Sequence, residues 1–96
     1  PDIYVANIGS ETDAYVSRLV YNFRKCGIAC ERDHMGRSLK AQMKYADKCG
    51  ARFSIVIGGD EAEKGAAVLK NMRTGETAEI KLDNTEEIAK TVTEDR

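Results

Sequence analysis

A row of basic side chains is the pattern in this 96-residue sequence with the clearest chemical meaning. The cations recur about one helical turn apart, at Arg37, Lys40, Lys44 and Lys48. A helix face of this kind pairs with the phosphates of a polyanion and gives an affinity that falls with salt. The alternative is a solvated helix face, because charged side chains at this spacing are also common on ordinary exposed helices.

The charges are distributed unevenly, although the formal net charge is only −1. From Arg32 to Arg52 the chain has six basic residues against two acidic ones. From Glu76 to Arg96 it has seven acidic residues against three basic ones. This asymmetry favours one basic face, while two solvated segments that merely differ in sign remain the alternative.

A glycine pair followed by acids, Gly58-Gly59-Asp60-Glu61, comes directly after an apolar run. Glycines at such a place can bring backbone amides to a phosphate, but these acids would repel it, and neither GxGxxG nor GKS/GKT is present. A carboxylate in this predicted loop is better suited to accept hydrogen bonds from base amino or imino groups. The alternative is that Asp60 and Glu61 only cap a short turn before Gly65.

The sequence contains no recognisable catalytic or metal-binding set. Nucleophilic catalysis needs a base beside Ser or Cys, and the one histidine is His34. The three cysteines, Cys26, Cys30 and Cys49, include no CxxC pair and complete no familiar zinc spacing with His34. We therefore expect no catalytic residue, no bound metal and buried thiols in a reducing compartment, that is, a binding module.

The strands that position these residues follow from the hydrophobic pattern. Phe53–Ile57 is apolar on both faces apart from Ser54, which is typical of a central strand. Shorter runs predict strands at Ile3–Ile8 and Ile28–Arg32, and a glycine turn joins two hairpin arms at Ala66–Met72 and Thr77–Leu82.

Three helices fit between and after these strands. The first begins near Ser10, the second at Arg37 or Ser38, and the third at Asn84. Their predicted inner stripes are Val16, Leu19, Val20 and Phe23, then Leu39, Met43 and Ala46, then Ile88, Ala89 and Val92. The order is therefore βαβαβ, a hairpin and a final α-helix.

Two crossover helices require parallel pairing of the first three strands, while a hairpin is antiparallel. We predict an α/β fold, specifically a three-layer α/β/α arrangement with a mixed five-stranded sheet. Residues 1–96 are long enough for a single domain. The apolar runs are too short to span a membrane, and no signal peptide is visible. Because the chain begins at Pro1 rather than Met, we expect it to be excised from a longer chain.

Two segments, PDIYVANIGSE and RSLKAQMKYADKCGARFSIVIGGDEAEKGAAVLKNMRTGE, resemble the C-terminal anticodon-binding domain of histidyl-tRNA synthetases, which are class II enzymes. The resemblance runs from Asp2 to about Val92. The run KYADKCGA is its most specific part, whereas the strand, glycine loop and hairpin are shared with threonyl, prolyl and glycyl relatives.

The resemblance implies that this domain reads the anticodon loop of a tRNA. It implies that Glu61 hydrogen-bonds a base, that Lys70 contacts a base, and that Gly36 and Arg37 approach the anticodon. Threonyl relatives carry Arg at the position of Lys70, and Lys lacks the planar fork of Arg. From the basic row we expect Arg37 and Lys40 to anchor phosphates.

The resemblance also implies a parent enzyme, an ATP-dependent ligase that charges tRNA with histidine as a cytoplasmic homodimer. Its ATP and Mg²⁺ would belong to the missing catalytic domain, and this fragment would bind no cofactor, membrane or DNA. Two alternatives stay open: a synthetase-like regulatory or dimerisation module, and a small-molecule α/β domain that uses the strand ends near Gly9 and Gly58.

Overall fold

A mixed five-stranded sheet organises the chain in a computed structural model that describes residues 1–95. The strands are β1 (Ile3–Asn7), β2 (Cys30–Arg32), β3 (Phe53–Ile57), β4 (Ala66–Asn71) and β5 (Thr77–Lys81). Their order in the sheet is β2-β1-β3-β4-β5. Strand β1 pairs in parallel with β2 and β3, and β4 pairs antiparallel with β3 and β5. The predicted mixed sheet, with its apolar third strand at the centre, is confirmed.

Four helices accompany the sheet: α1 (Asp13–Lys25), α2 (Leu39–Lys48), α3 (Gly59–Lys64) and α4 (Thr85–Glu94). The Ser38 hydroxyl caps α2 by accepting a hydrogen bond from the Ala41 amide at 3.2 Å. At the start of α4 the Asn84 Oδ1 accepts a hydrogen bond from the Glu87 amide at 3.4 Å, as the predicted N-cap requires. Asn84 Nδ2 also donates to Glu87 Oε2 at 2.6 Å. None of the described helices is long and apolar enough to cross a membrane.

The two faces of the sheet are covered unequally. Helices α1 and α4 pack their apolar stripes on one face, where Val16, Phe23 and Val92 are fully buried in the main core. On the other face α2 packs over β1, and Ala46 meets Tyr4 and Ala6 there. The three layers are therefore present, but the second helical layer consists of one helix.

Within residues 1–95, no helix covers the β4–β5 half of the sheet face on which α2 packs. Side chains alternate along a strand, and Ala67 and Leu69 belong to the α1–α4 core, so Val68 and Lys70 point to the opposite face. Val68 is 50% exposed there, and Lys70 is exposed beside its β5 partner Thr77. This bare sheet face is open to a ligand.

The segment expected to be an acidic loop after β3 is instead the short helix α3. The Glu61 carboxylate accepts a hydrogen bond from the Gly58 amide at 2.7 Å, which caps the new helix. Gly65 ends it with a left-handed backbone, at φ 68°. Two consecutive glycines predict a loop, because glycine destabilises a helix. The capping hydrogen bond of the Glu61 carboxylate stabilises the helix in spite of them.

Other local predictions need correction. Leu39 was expected on the inner stripe of α2 but is 38% exposed, and Gln42 faces the sheet instead. Ser10 begins a single 3₁₀ turn, Ser10–Thr12, rather than capping α1. In the second hairpin arm Ala78, Ile80 and Leu82 alternate with polar residues, which predicts one buried face, but Ala78 on the edge strand β5 is exposed.

Arg52 ties the two ends of the described chain to the start of β3. Its Nη2 donates to Asp2 Oδ1 at 2.8 Å and to the Val92 carbonyl at 3.1 Å, while Nη1 lies 3.3 Å from Asp95 Oδ2. One side chain thereby joins β1, β3 and the end of α4.

We expect Arg52→Ala to lower the free energy of unfolding by about 1–2 kcal/mol, because several charge-assisted hydrogen bonds are lost together. Arg73→Ala is the matched control, since Arg73 reaches the same Asp95 only at 3.8 Å with a 73% exposed side chain. It should cost about 0.5 kcal/mol or less. Urea unfolding followed by circular dichroism measures both, and equal losses would show that Arg52 has no special role.

Candidate RNA-binding surface

The parallel strands β1, β2 and β3 end at the same edge of the sheet, where α2 and α3 begin. In open α/β sheets, ligands bind in the crevice outside the carboxyl ends of the strands. A cleft of about 510 Å³ lies at this edge, and Gly36 and Arg37 are among the residues that line it. Two of the predicted site residues are therefore at the cleft.

Asp33, buried directly after β2, clamps the turn that carries Gly36 and Arg37. Its Oδ1 accepts a hydrogen bond from Arg37 Nε at 2.7 Å, and its Oδ2 accepts one from the Arg37 amide at 2.9 Å. Burial alone would raise the pKa of Asp33, but the hydrogen bonds from Arg37 outweigh it and hold the pKa below its ordinary value. The turn is held by a charged pair as well as by its backbone.

The guanidinium of Arg37 also lies over the ring of Tyr45, 4.9 Å from the ring centroid. Tyr45 in turn lies 5.8 Å from the buried Tyr4 ring. About a third of the Arg37 side chain, 35%, stays exposed. The guanidinium of Arg37 is therefore held by Asp33 and Tyr45, and only part of its surface is available to a ligand.

The side chain of Gln42 fixes the same turn to the end of β1. Its Oε1 accepts from the Asn7 amide at 2.9 Å, and its Nε2 donates to the carbonyls of Asn7 at 2.9 Å and Arg37 at 2.8 Å. Gln42 is 1% exposed. Sequence reasoning missed this residue, and its signal was a polar side chain one turn before the buried Ala46.

Glu61 lies in the first turn of α3, at the end of β3. One of its carboxylate oxygens is occupied by the Gly58 amide, and the side chain remains partly exposed. Ile8 lines the cleft and lies against Gly58, so the cleft adjoins the start of α3.

The two predicted lysines lie away from the cleft. Lys70 is on the bare sheet face, opposite Ser54 in β3, and Lys40 is exposed on α2. Within residues 1–95, neither lysine forms an ion pair. Arg37, Glu61 and Lys70 are not joined to one another by hydrogen bonds in this part of the chain, so the structure brings only Gly36 and Arg37 together directly.

The cysteines are free thiols. Burial raises the pKa of Cys30 to about 12, so this thiol is neutral and packs as a small apolar group, as expected. Cys26 and Cys49 are only partly buried. Among the described residues, no group of three or more His, Cys, Asp or Glu side chains is arranged to hold a metal ion.

Comparison with known proteins identifies one family. The family model described as anticodon binding domain matches residues 2–91. The histidine–tRNA ligase of Acetivibrio thermocellus is 59% identical over 86% of this chain and 20% of its own length. That of Geobacter sulfurreducens is 45% identical over 97% of this chain and 22% of its own length. The chain therefore spans about a fifth of these relatives.

Solved structures give the same result. Apo histidyl-tRNA synthetase from S. aureus superposes with a TM-score of 0.87 at 40% identity, over 93% of this chain and 23% of that one. The RNA binding domain of threonyl-tRNA synthetase from Cryptosporidium parvum superposes with a TM-score of 0.83 over 97% of this chain and 23% of that one. At 16% identity this second likeness shows the fold alone. The resemblance read from the sequence is confirmed.

We expect Asp33→Asn to lower the free energy of unfolding at pH 7 by about 1–3 kcal/mol, because the clamp loses its charge. A carboxylate with a lowered pKa stabilises the fold above its unfolded pKa of about 3.9, and this stabilisation is lost as pH falls through its folded pKa. The gap between wild type and variant should therefore narrow below about pH 4.

Urea unfolding at several pH values measures this gap. Asp47→Asn is the control, because Asp47 is an exposed acid on α2 and forms no ion pair within residues 1–95. A gap that stays constant between pH 7 and pH 3 would contradict the charged clamp.

Proposed function

Because the chain belongs to the anticodon binding domain family, we propose that it binds the anticodon loop of tRNA as part of a histidine–tRNA ligase. The observation that carries this proposal is the match over residues 2–91, together with relatives named histidine–tRNA ligase, one of them 59% identical over 86% of this chain. Sequence-specific proteins read RNA mostly in single-stranded loops, because the base edges are free there.

Glu61 and Lys70 are the proposed base contacts. The second carboxylate oxygen of Glu61 is left to accept a hydrogen bond from a base, since the first one caps α3. Lys70 offers an exposed ammonium donor on the bare sheet face, without a competing ion pair in the described chain. A carboxylate acceptor and an ammonium donor together suit the mixed edges of bases.

Phosphate contacts are assigned to the outer face of α2. Lys40 and Lys44 are exposed there and form no ion pair with a described acid. Arg37 at the start of the helix contacts a phosphate only through the exposed third of its side chain, because its Nε donates to Asp33. The flexible lysines therefore supply most of the salt-dependent affinity in this proposal.

The proposal extends to a parent chain, since the relatives are about five times longer than this domain. The parent would be an ATP-dependent ligase that charges tRNA with histidine as a cytoplasmic homodimer. ATP and Mg²⁺ would be bound by its catalytic domain, and residues 1–96 would form the single anticodon-binding domain of that longer chain. This domain would contribute tRNA binding and no catalytic group.

Two alternatives have less support. The relatives are named ligases, which gives no support to a regulatory or dimerisation module. A small phosphorylated ligand at the strand ends meets acids, because the Glu11 carboxylate packs against Gly9 and the Glu61 carboxylate caps Gly58. These carboxylates lie where a phosphate would have to approach the glycine turns.

We expect Lys70→Ala to weaken binding of a stem-loop with the histidine anticodon GUG by about 5- to 150-fold, with much less effect on a scrambled loop. The physical reason is the loss of a base contact. Fluorescence anisotropy with labelled stem-loops measures both affinities. Lys90→Ala on α4, an exposed lysine on the opposite face, is the control. Equal weakening for every loop sequence would exclude base reading by Lys70.

Lys40→Ala should weaken GUG and scrambled loops alike, because a phosphate contact carries no sequence information. It should also reduce the slope of log affinity against log salt by about one. The same titrations repeated over a range of KCl concentrations measure this slope. An unchanged slope would mean that Lys40 neutralises no phosphate.

A further inference from the structure

Tyr45 is an exposed aromatic residue to which the core gives no role. It lies on α2 and is 42% exposed. Its ring nevertheless makes two defined contacts. The ring centroid lies 5.8 Å from that of Tyr4, with the ring planes at 54°, and the guanidinium carbon of Arg37 lies 4.9 Å above it. These contacts, rather than burial, indicate what Tyr45 does.

Tyr4 gives the ring of Tyr45 a fixed support. Tyr4 belongs to β1 and is fully buried, in the cluster that Ala6 and Ala46 form under α2. Burial raises the pKa of Tyr4 above its ordinary value, so its hydroxyl is neutral at pH 7. Tilted aromatic pairs at this separation are favourable. The ring of Tyr45 therefore rests on a rigid part of the sheet.

The guanidinium of Arg37 is held from two directions. Its Nε donates to the buried Asp33 Oδ1 at 2.7 Å, and the ring of Tyr45 lies against it. A guanidinium has five N–H donors in one plane, and the bond to Asp33 uses one of them. The Nη groups form no ion pair with a carboxylate within residues 1–95. They remain available as donors to a ligand.

The direction of these donors matters more for Arg37 than for a lysine of α2. Asp33 carries the opposite charge, so the pair exerts little long-range attraction on a phosphate. Its contribution to binding comes from hydrogen bonds at short range, and a planar fork pairs with a phosphate only when its Nη edge faces the oxygens. Without the ring of Tyr45, the Nε bond alone would orient the guanidinium.

We propose that Tyr45 is a positioning residue that holds the guanidinium of Arg37 with its Nη edge toward a phosphate of the bound RNA. Tyr45 itself contacts no nucleotide. The inference rests on the proposed function, in which Arg37 anchors a phosphate. Because the face of the ring makes the contact, phenylalanine fulfils the same role and leucine does not.

A double-mutant cycle between Tyr45 and Arg37 tests this role, with affinities measured for the GUG and scrambled stem-loops. Tyr45→Leu should weaken binding of both RNAs by about two- to fivefold, since a phosphate contact carries no sequence information. Arg37→Gln should weaken both by about tenfold. In the Arg37→Gln background, Tyr45→Leu should cause no further loss. Tyr45→Phe should bind like the wild type.

A measurement on the free domain keeps the test decisive if Tyr45→Leu lowers stability. The side-chain protons of Arg37 lie over the ring, so its ring current should shift their NMR signals upfield. This shift should persist in Tyr45→Phe and vanish in Tyr45→Leu. Its absence from the wild type would overturn the inference.

Tyr21→Leu is the matched control. Tyr21 also lies under a cation, with Lys25 Nζ 5.6 Å from its ring centroid, but it is on α1, which packs on the other face of the sheet. Its substitution should leave both affinities unchanged. Far-UV circular dichroism verifies that each variant is folded.

Four results would overturn the positioning role. Tyr45→Leu might cause no loss, or the same loss with and without Arg37, which would make its effect independent of that residue. A loss confined to the GUG loop would mean that the ring contacts a base. An equal loss in Tyr45→Phe would mean that the hydroxyl contacts the RNA. Failure of the wild-type domain to prefer GUG over the scrambled loop would instead overturn the proposed function.

Discussion

The hydrogen bonds of the buried Gln42 side chain are the constraint on which the rest of this surface depends. They join α2 to both backbone polar groups of Asn7 and to the carbonyl of Arg37. In a nearly water-free site, losing them would leave several polar groups without partners. This amide acts together with the packing of Ala46 on β1 and with the Asp33–Arg37 clamp to fix the position of α2 and the shape of the Gly36–Arg37 turn.

Charge is divided between two kinds of cation at this edge of the sheet. Arg32 and Arg37 are bound to Asp13 and Asp33 and act as structural ties, with geometry fixed before any ligand arrives. The lysines of α2 remain exposed, and in the proposed function they supply the long-range attraction to RNA phosphates. The arginines at the cleft are therefore paired with acids, whereas the lysines of α2 form no ion pair within residues 1–95.

The sequence predicted the features that depend on local patterns. The apolar run Phe53–Ile57 gave the central strand, and the stripe around Val16 and Phe23 gave the buried face of α1. The sequence-based predictions failed where tertiary hydrogen bonds decide which side chain faces the sheet. The spacing of apolar residues predicts that Leu39 faces the sheet, because that spacing carries no information about the three hydrogen bonds that place Gln42 against the sheet instead. The Asp33–Arg37 clamp was missed for the same reason, since a turn had to form before the two side chains could meet. The proposed contacts of Glu61 and Lys70 came from family resemblance, because neither residue's type and spacing specifies a base.

The central claim is base-specific reading of an anticodon loop by this surface. Its most direct test is an NMR titration of the domain with a GUG stem-loop and with the same stem carrying a scrambled loop. The account predicts amide shifts clustered around Gly36, Glu61 and Lys70 with GUG alone. Equal shifts with both RNAs that fade as salt rises, or no shifts with either, would contradict it.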